Sequence, residues 1–117
     1  MAFPAPIQSL PEADISFPGI RGWLLQSARG QVVFMDIAPI GEVPPHSHGA
    51  QWGVVVAGEI VLTLGGETHT YRQGDSYFIP AGVVHSAVFH SRVLVVDFFA
   101  DPDRYHAKPE ANPKDKA

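Results

Sequence analysis

The 117-residue chain contains no cysteine. Disulfide cross-links, thiolate nucleophiles and cysteine-ligated zinc or iron–sulfur sites are therefore excluded. Any metal ion that the protein binds must be held by histidine nitrogen and by oxygen ligands.

The chain also lacks an excess of positive charge. It has 8 Lys and Arg residues against 12 Asp and Glu residues, which gives a net charge of −4, and no run of basic residues occurs. Binding to nucleic acid or to an anionic membrane depends on clustered positive charge. No apolar segment is long enough to cross a bilayer, and residues 1–10 lack the features of a signal peptide. We therefore expect no nucleic-acid or membrane partner and a cytoplasmic protein.

Glycine and proline are abundant, with 11 of each. Such frequent turn residues favour many short strands over long helices. Short β-rich runs alternate with turn residues from Trp23 to Ala100, and glycine-containing pairs separate several consecutive runs at hairpin spacing. The predicted fold is all-β, a closed sandwich or barrel. The predicted runs are 23–26, 31–37, 46–48, 51–57, 60–64, 67–72, 76–79, 83–90 and 92–100.

The length predicts one domain with a segment at each end. Residues 1–21 contain four prolines and are predicted to form an extended arm that lies along a sheet edge. Residues 22–100 are predicted to form the barrel. Residues 101–117 are predicted to be a mobile tail, because their last ten residues are charged, proline-broken and without an apolar face. The alternative for Arg104-Tyr105-His106 is a last short turn before the tail.

Alternation within the runs predicts which residues are buried. Ile60, Leu62 and Leu64 share one strand face and should lie in the core. Other strands, such as 93–96, are apolar on both faces, so together with the arm they predict a homodimer in which arms or sheet edges pack across a two-fold axis. We expect the strand aromatics to pack in the core, with one or two lining a pocket instead: Trp52, Phe78, Phe89, Phe98 and Phe99.

The most informative feature is His46-Ser47-His48, followed by Gln51 and later by His85. Two histidines separated by one residue on a strand project to the same face, because side chains alternate. Both imidazoles can then approach one point. A third imidazole and a carboxamide could complete a compact nitrogen and oxygen cage of the kind that borderline divalent transition ions favour. The pattern therefore predicts a metal centre.

With these residues in place, the chain resembles a small single-domain cupin. The first motif of that family is a glycine, His-x-His, a Glu and a second glycine, and the corresponding residues here are Gly41, His46, His48, Gln51 and Gly58. The second motif is Gly-x5-Pro-x-Gly-x2-His-x3-Asn, and the residues that match it are Gly74, Pro80, Gly82 and His85. The resemblance implies a double-stranded β-helix, the jelly-roll cupin barrel. It also implies one divalent transition ion, which could be zinc, nickel, manganese or iron(II), on His46, His48, Gln51 and His85.

The chain departs from the family pattern at three places. Gly41 lies one residue nearer His46 than usual, and Phe89 replaces the last Asn of the second motif. Gln51 replaces the Glu ligand and has two residues between it and His48 instead of three or four. Since Gln offers a neutral carbonyl oxygen, the charge of the ion would not be neutralised by its ligands, and anionic or enolate-like oxygens should bind well.

Other titratable residues are weaker candidates for a role in the site. His69 lies on a polar, half-exposed strand, His90 should point outward, and His106 is near the tail. Asp97 lies in an apolar strand, where alternation places it with Val93 and Val95. It would orient a ligand histidine or act as a base if it faces the pocket; the favoured alternative is that it pairs with backbone or with one of Arg21, Arg29, Arg72 and Arg92.

The resemblance and the neutral ligand set imply a metal-dependent enzyme acting on a small molecule. The expected chemistry is that of an isomerase, cyclase or lyase in which the metal stabilises an enolate, as in polyketide cyclisation or sugar-acid processing. One alternative is a three-histidine iron(II) dioxygenase, which would need iron(II) and consume oxygen. The other is a non-catalytic, metal-bearing cupin that binds a sugar or an effector.

Overall fold

The structure is a computed structural model and describes residues 1–109. No helix in this part of the chain is long and apolar enough to cross a membrane. The elements are α1 (Ala5–Gln8), β1 (Ile20–Ser27), β2 (Gly30–Ile37), β3 (Gly41–His46), β4 (Gln51–Ala57), β5 (Glu59–Leu64), β6 (Glu67–Arg72), β7 (Ser76–Ile79), β8 (His85–Phe89) and β9 (Val93–Phe99).

The strands form two antiparallel sheets that enclose the core. One sheet has five strands in the order β1-β2-β9-β4-β7, and the other has four in the order β3-β8-β5-β6. The predicted all-β, jelly-roll fold is confirmed. Inward-facing apolar side chains from both sheets pack together between them, since each strand alternates its side chains between two faces. Core members include Leu24, Val33, Met35, Ile60, Leu62, Ile79, Val93 and Val95.

Strand β5 shows how the sequence pattern produces this core. Ile60 and Leu62 are buried, as their alternation predicts. Leu64 is only half-buried. It is the last residue of β5, and a glycine turn follows it at once, so the side chain lies at the rim of the barrel where fewer neighbours cover it.

The aromatic residues of the strands divide between the two faces. Phe89 and Phe99 are buried, which confirms their predicted place in the core. For Trp52, Phe78 and Phe98 the core prediction is wrong, because 45%, 57% and 41% of their surfaces are exposed. Their positions alternate with inward-facing neighbours, so they lie on the outer face of the five-stranded sheet.

The N-terminal segment is not extended throughout, because it contains α1. Pro6 lies in the first turn of this short helix, where its missing N–H is not needed. Phe3 is buried and packs edge-to-face on Trp23 and Phe34, with ring centroids 6.2 and 5.6 Å apart. Residues 11–13 then run beside β1, where the backbone N–H of Leu24 donates to the carbonyl of Pro11 at 2.8 Å. The predicted arm is thus packed on the sheet of its own chain.

The segment after β9 also differs from the predicted tail. The backbone N–H of Asp14 donates to the carbonyl of His106 at 2.7 Å, and that of Lys108 donates to the carbonyl of Glu12 at 2.8 Å. The amide of Gln31, which is 1% exposed, accepts from the N–H of Tyr105 at 2.9 Å. These hydrogen bonds hold residues 105–108 against the barrel. Residues 110–117 of the predicted tail lie outside the described residues.

Candidate metal centre

Three histidines from two parts of the chain meet at one end of β3. The ligand nitrogens of His46, His48 and His85 all lie within 4.8 Å of one another. Their ring centroids are 5.4 Å apart for His46 and His48, 4.3 Å for His46 and His85, and 4.8 Å for His48 and His85. His46 and His85 are cross-strand partners on β3 and β8. The structure thus brings together the three imidazoles that the sequence pattern placed near one point.

His48 reaches this point from a loop and not from a strand, so the predicted strand 46–48 is wrong. Strand β3 begins at Gly41 and ends at His46. Its pairing with β8 shifts register between Val43 and His46, where two consecutive prolines offer no backbone N–H to the ladder. The loop is held at the peptide group that joins His48 to Gly49, since the N–H of Gly49 donates to Asp101 Oδ2 at 2.7 Å and that of Gly82 donates to the His48 carbonyl at 2.9 Å.

A backbone carbonyl orients each imidazole. The Nδ1 atom lies 2.9 Å from the oxygen of Pro44 in His46, 2.7 Å from that of Gly49 in His48 and 2.9 Å from that of Val83 in His85. Because a carbonyl only accepts, Nδ1 carries the proton in each neutral ring and Nε2 keeps its lone pair. Metal-ligating histidines are commonly oriented in this way. The Nε2 atom of His48 is buried and has no hydrogen-bond partner in the described part of the chain.

His48 and His85 have lowered pKa values, which favours the binding of a cation. Burial lowers the pKa of His48 and of His85, and the nearby positive charge of Arg104 lowers the pKa of both further. Both imidazoles are therefore neutral near pH 7, which is the form that binds a metal. Three histidines with available Nε2 atoms, one of them buried without a partner, fit a divalent transition ion, so the group could hold one.

Gln51 and Asp97 lie in the same cavity and contact each other. Gln51 begins β4, and its Nε2 donates to Asp97 Oδ1 at 3.1 Å. The Tyr77 hydroxyl donates to the same oxygen at 2.6 Å. Burial raises the pKa of Asp97 to about 6, and the hydrogen bonds from Tyr77 and Gln51 counteract part of that rise.

The structure settles the orientation of Asp97 and corrects its partners. Asp97 is 2% exposed and faces inward with Val95, as alternation predicts. The prediction that Asp97 pairs with an arginine or with backbone is wrong, because its carboxylate accepts hydrogen bonds from Tyr77 and Gln51. Three of the arginines considered are engaged elsewhere, in ion pairs with other carboxylates: Arg21 with Glu12, Arg72 with Glu59 and Arg92 with Asp36.

Gly53 makes the contact between Tyr77 and Asp97 possible. It lies between them on β4, opposite Tyr77 of β7 and Asp97 of β9. A Cβ atom at this position would lie 2.3 Å from both Asp97 Oδ1 and Tyr77 Cζ. Sequence reasoning did not single out this glycine. The available signal was its place inside an otherwise apolar strand, where glycine often marks a close approach.

Arg104 is a further residue of the site that sequence reasoning missed. Its guanidinium lies 4.7 Å from the ring centroid of Tyr105 and 5.9 Å from that of Phe99. Its Nε is buried and has no hydrogen-bond partner among residues 1–109. It follows the last strand, in a segment whose sequence predicts a tail, so no local pattern marked it as part of the barrel.

The cavity that these residues line has a volume of about 100 Å³. Its lining combines a cluster of polar side chains with a wall of aliphatic side chains. The cavity is not lined by His69, His90 or His106, in agreement with the prediction that they are weaker candidates for the site. Its polar members are His46, His48, Gln51, Tyr77, His85, Asp97, Arg104 and Tyr105, and its aliphatic members include Ile20, Met35, Val43, Ile60, Leu62 and Val95.

Comparison with solved structures gives the same architecture. An RmlC-like cupin from Shewanella frigidimarina is 26% identical over 89% of this chain and 91% of that chain, with a TM-score of 0.72. KdgF from Halomonas sp. is 24% identical over 78% of this chain and 87% of that chain, with a TM-score of 0.66. AerE from Microcystis aeruginosa is 22% identical over 78% of this chain and 46% of that chain, with a TM-score of 0.70.

No curated protein matches the sequence. The family model Cupin_2, described as the cupin domain, matches residues 33–99. This match covers more than half of the chain, from the middle of β2 to the end of β9, and includes all three histidines of the cluster. The chain therefore belongs to the cupin family.

Proposed function

We propose that the protein is a metal-dependent enzyme that enolises a small carbonyl compound, as an isomerase, cyclase or lyase. The observation that carries this proposal is the convergence of three oriented imidazoles, with the buried and unpartnered Nε2 of His48 among them, in a cavity that also contains Arg104 and Asp97. The cavity is small, so we propose a substrate of low molecular mass. Its aliphatic wall favours a substrate with an apolar part over a fully hydroxylated sugar acid.

The proposed ligands are His46, His48, His85 and the carbonyl oxygen of Gln51. When bound, a divalent ion supplies Lewis acidity that polarises a substrate carbonyl oxygen. Because all four ligands are neutral, they leave the charge of the ion available to an anionic or enolate-like oxygen. Zinc, nickel, manganese and iron(II) are each compatible with this ligand set.

Asp97 is proposed to position Gln51. A carboxylate only accepts hydrogen bonds, so the contact at 3.1 Å requires the NH₂ group of Gln51 to face Asp97. The carbonyl oxygen of the same amide is then directed away from Asp97 and keeps its lone pairs. Tyr77 fixes Asp97 in turn, through the hydrogen bond that its hydroxyl donates. This chain of contacts supports the proposed ligation by Gln51.

Substitution of Gln51 tests its ligation directly. Gln51→Glu is expected to retain cobalt but to change the visible absorption spectrum of the cobalt-substituted protein, because a charged carboxylate replaces a neutral amide beside the ion. Gln51→Ala is expected to change the spectrum as well, since a ligand is lost. Gln73→Glu and Gln73→Ala are matched controls, because Gln73 is exposed in the turn between β6 and β7. Identical spectra in all five proteins would show that three histidines alone hold the ion.

Arg104 is proposed to bind an anionic group of the substrate. Its charge lies close enough to His48 and His85 to lower the pKa of both, and its Nε lacks a partner within residues 1–109. A guanidinium beside a metal ion is well suited to a carboxylate or an enolate oxygen. The flanking rings of Phe99 and Tyr105 hold the guanidinium in place.

Arg104→Gln is expected to weaken pyruvate binding roughly 10- to 100-fold, which is the size of one hydrogen bond to a charged group. Titration of cobalt-substituted protein with pyruvate, followed by visible absorption, measures this affinity. The neutral ketone acetone should be affected much less. Arg29→Gln serves as the control, since Arg29 is exposed between β1 and β2. Equal loss for pyruvate and acetone would contradict a charge-specific role for Arg104.

The proposed activity is tested by proton exchange. Protein purified without oxygen is first analysed for its metals and then incubated in D₂O with β-diketones, 2-keto acids and uronates. Loss of the signal from the proton next to the carbonyl, followed by NMR, reports enolisation. We expect exchange that requires the metal and disappears in His85→Ala. Exchange at the same rate in metal-free protein would contradict the proposal.

A three-histidine iron(II) dioxygenase is the second candidate. The grouping of His46, His48 and His85 favours it, because their ligand nitrogens lie within 4.8 Å of one another without a contribution from Gln51. An oxygen electrode distinguishes the two candidates. Consumption of oxygen that requires iron(II) would favour the dioxygenase, whereas anaerobic proton exchange favours the enolising enzyme. Ligand binding with neither activity would instead favour a non-catalytic binding cupin.

A further inference from the structure

Arg104 reaches the cavity from a piece of chain that has no helix or strand of its own. Residues 102–105, here called the Arg104 segment, follow β9 and lead to a β-bridge between Ala107 and Ala13. Such a segment has no ladder of backbone hydrogen bonds along its own length. Contacts with side chains of the barrel must therefore fix the place of Arg104.

Gln31 of β2 supplies the main contact of this kind. Its Oε1 accepts from the N–H of Tyr105 at 2.9 Å, and its Nε2 donates to the Tyr105 carbonyl at 2.8 Å. The carbonyl of Pro102 lies 3.1 Å from the same Nε2. Among the hydrogen bonds of residues 1–109, the only other one from the barrel to the Arg104 segment comes from the exposed side chain of Gln26, which also donates to Pro102. Gln31 thus holds both the first and the last residue of the segment.

Gln31 lies at a position where strand alternation favours an apolar side chain. It shares the inward face of β2 with Val33, Met35 and Ile37, which belong to the core, and it is 1% exposed. A buried amide costs free energy unless its donor and its acceptor both have partners. One partner is Oε1 of Gln26, at 2.7 Å from the Gln31 Nε2. The others belong to the Arg104 segment, so this buried polar group is satisfied only when the segment lies against the sheet.

An amide is the side chain that fits the backbone of Tyr105. Tyr105 presents both an N–H and a carbonyl to the same side chain, and the amide of Gln or Asn offers an acceptor and a donor together. A carboxylate only accepts, so it would face the carbonyl oxygens of Tyr105 and Pro102 without a donor. An aliphatic side chain would leave both groups of Tyr105 without this partner.

The position of Tyr105 determines that of the Arg104 guanidinium. The Tyr105 ring packs edge-to-face on Phe99, with ring centroids 5.6 Å apart, and the guanidinium lies 4.7 Å from the Tyr105 centroid. Phe99 is also the cross-strand partner of Gln31. Because the Nε of Arg104 has no hydrogen-bond partner in the described part of the chain, the two rings and the backbone of the segment define where the guanidinium lies.

We propose that Gln31 is the positioning residue for Arg104. By holding the Arg104 segment against the sheet, it keeps the guanidinium beside the histidines and makes the site selective for an anionic substrate. Gln31 does not line the cavity, so it acts through Arg104. The inference rests on the proposed function for one element, which is the binding of an anionic group by Arg104.

NMR of the metal-free, ¹⁵N-labelled protein tests the positioning role without any ligand. The Nε–H signal of Arg104 is identified as the one that disappears in Arg104→Gln. Gln31→Met is expected to move this signal to the position of an exposed arginine side chain. It should also speed hydrogen exchange of the Tyr105 backbone N–H at least tenfold, because that group loses its acceptor. An unchanged Arg104 signal with unchanged Tyr105 exchange would overturn the proposal.

Two other arginines show whether the effect is local. The Nε–H groups of Arg21 and Arg92 donate to carboxylates far from the Arg104 segment in sequence, and their signals should stay in place. Gln73→Met is the matched control variant, since Gln73 is exposed in the turn between β6 and β7. A shift of all arginine signals in the folded Gln31 variant would contradict a role specific to Arg104.

Gln31→Asn covers the case in which Gln31→Met does not fold. It keeps the amide and its polarity but is one methylene shorter, so it should not reach both groups of Tyr105 from the same backbone position. The same change in the Arg104 signal and in Tyr105 exchange is expected. Wild-type behaviour of a folded Gln31→Asn, together with that of Gln31→Met where it folds, would overturn the proposal.

Pyruvate binding to the cobalt-substituted protein tests the consequence for selectivity. Gln31→Met should weaken it roughly 10- to 100-fold, as Arg104→Gln does, and should affect acetone much less. The double variant should bind pyruvate no more weakly than Arg104→Gln alone, because effects that pass through one residue are not additive. A full second loss in the double variant would overturn the proposal. Absence of pyruvate binding in the wild type would instead contradict the proposed role of Arg104, while the NMR signals still decide whether Gln31 positions it.

Discussion

His85→Ala is expected to reduce the metal content of dialysed protein tenfold or more. Changes to groups that only orient a ligand cost roughly 10- to 100-fold in metal affinity, so loss of a ligand should cost at least as much. His46→Ala and His48→Ala should have the same effect, because one ligand nitrogen of each of the three rings lies within 4.8 Å of the others. Elemental analysis after dialysis against a metal-free buffer measures the stoichiometry.

His90→Ala is the matched control for these three variants. His90 is exposed and follows β8 directly, so the same substitution is made near His85 in sequence but outside the cluster. Its metal content should equal that of the wild type. If all three cluster variants also kept wild-type stoichiometry, the assignment of the metal to these histidines would be wrong.

Gly53→Ala is expected to destabilise the protein by about 2–4 kcal/mol, in the range of severe overpacking. The new methyl group would lie 2.3 Å from Asp97 Oδ1 and from Tyr77 Cζ, and the hydrogen bond that joins these two buried side chains would have to lengthen or break to admit it. Separation of Tyr77 from Asp97 would also release Gln51. Urea unfolding measures the loss, and the spectrum of the cobalt-substituted protein should shift if Gln51 is a ligand.

Gly66→Ala separates this effect from the general cost of replacing a glycine. A Cβ atom at Gly66 meets nothing within 4 Å, and only its φ of +91° opposes a side chain. That strain costs roughly 1–2 kcal/mol. A loss for Gly53→Ala no larger than that for Gly66→Ala would contradict a tightly packed Tyr77 and Asp97 pair.

Some features of the fold followed directly from local sequence. Strands β4, β6 and β7 have the bounds that alternation and turn residues predict. Both signals act between neighbours in the chain, since side chains alternate along one strand and glycine permits the tight turn after it. The turn residues were abundant enough to predict an all-β fold without knowledge of strand order.

Other features could not be predicted, because alternation separates two faces without stating which one is covered. Phe98 and Phe99 are adjacent and equally apolar, yet Phe99 contacts His48 inside the barrel while Phe98 lies outside over Gly30. The N-terminal segment likewise gave no local sign that Phe3 packs on the sheet of its own chain. These outcomes depend on strand order and on the packing of distant segments.

By itself, the sequence determined the fold class, the family and the three histidines that form the candidate metal centre, because periodicity, turn residues and motif spacing are local properties. Only the tertiary structure decided that Gln51 contacts Asp97, that Gly53 admits Tyr77 beside Asp97, and that Arg104 joins the cavity. These contacts join residues from different strands or from beyond the last strand. Their physical basis is the register of neighbouring strands and the closure of the barrel, which bring together groups that no spacing along the chain relates.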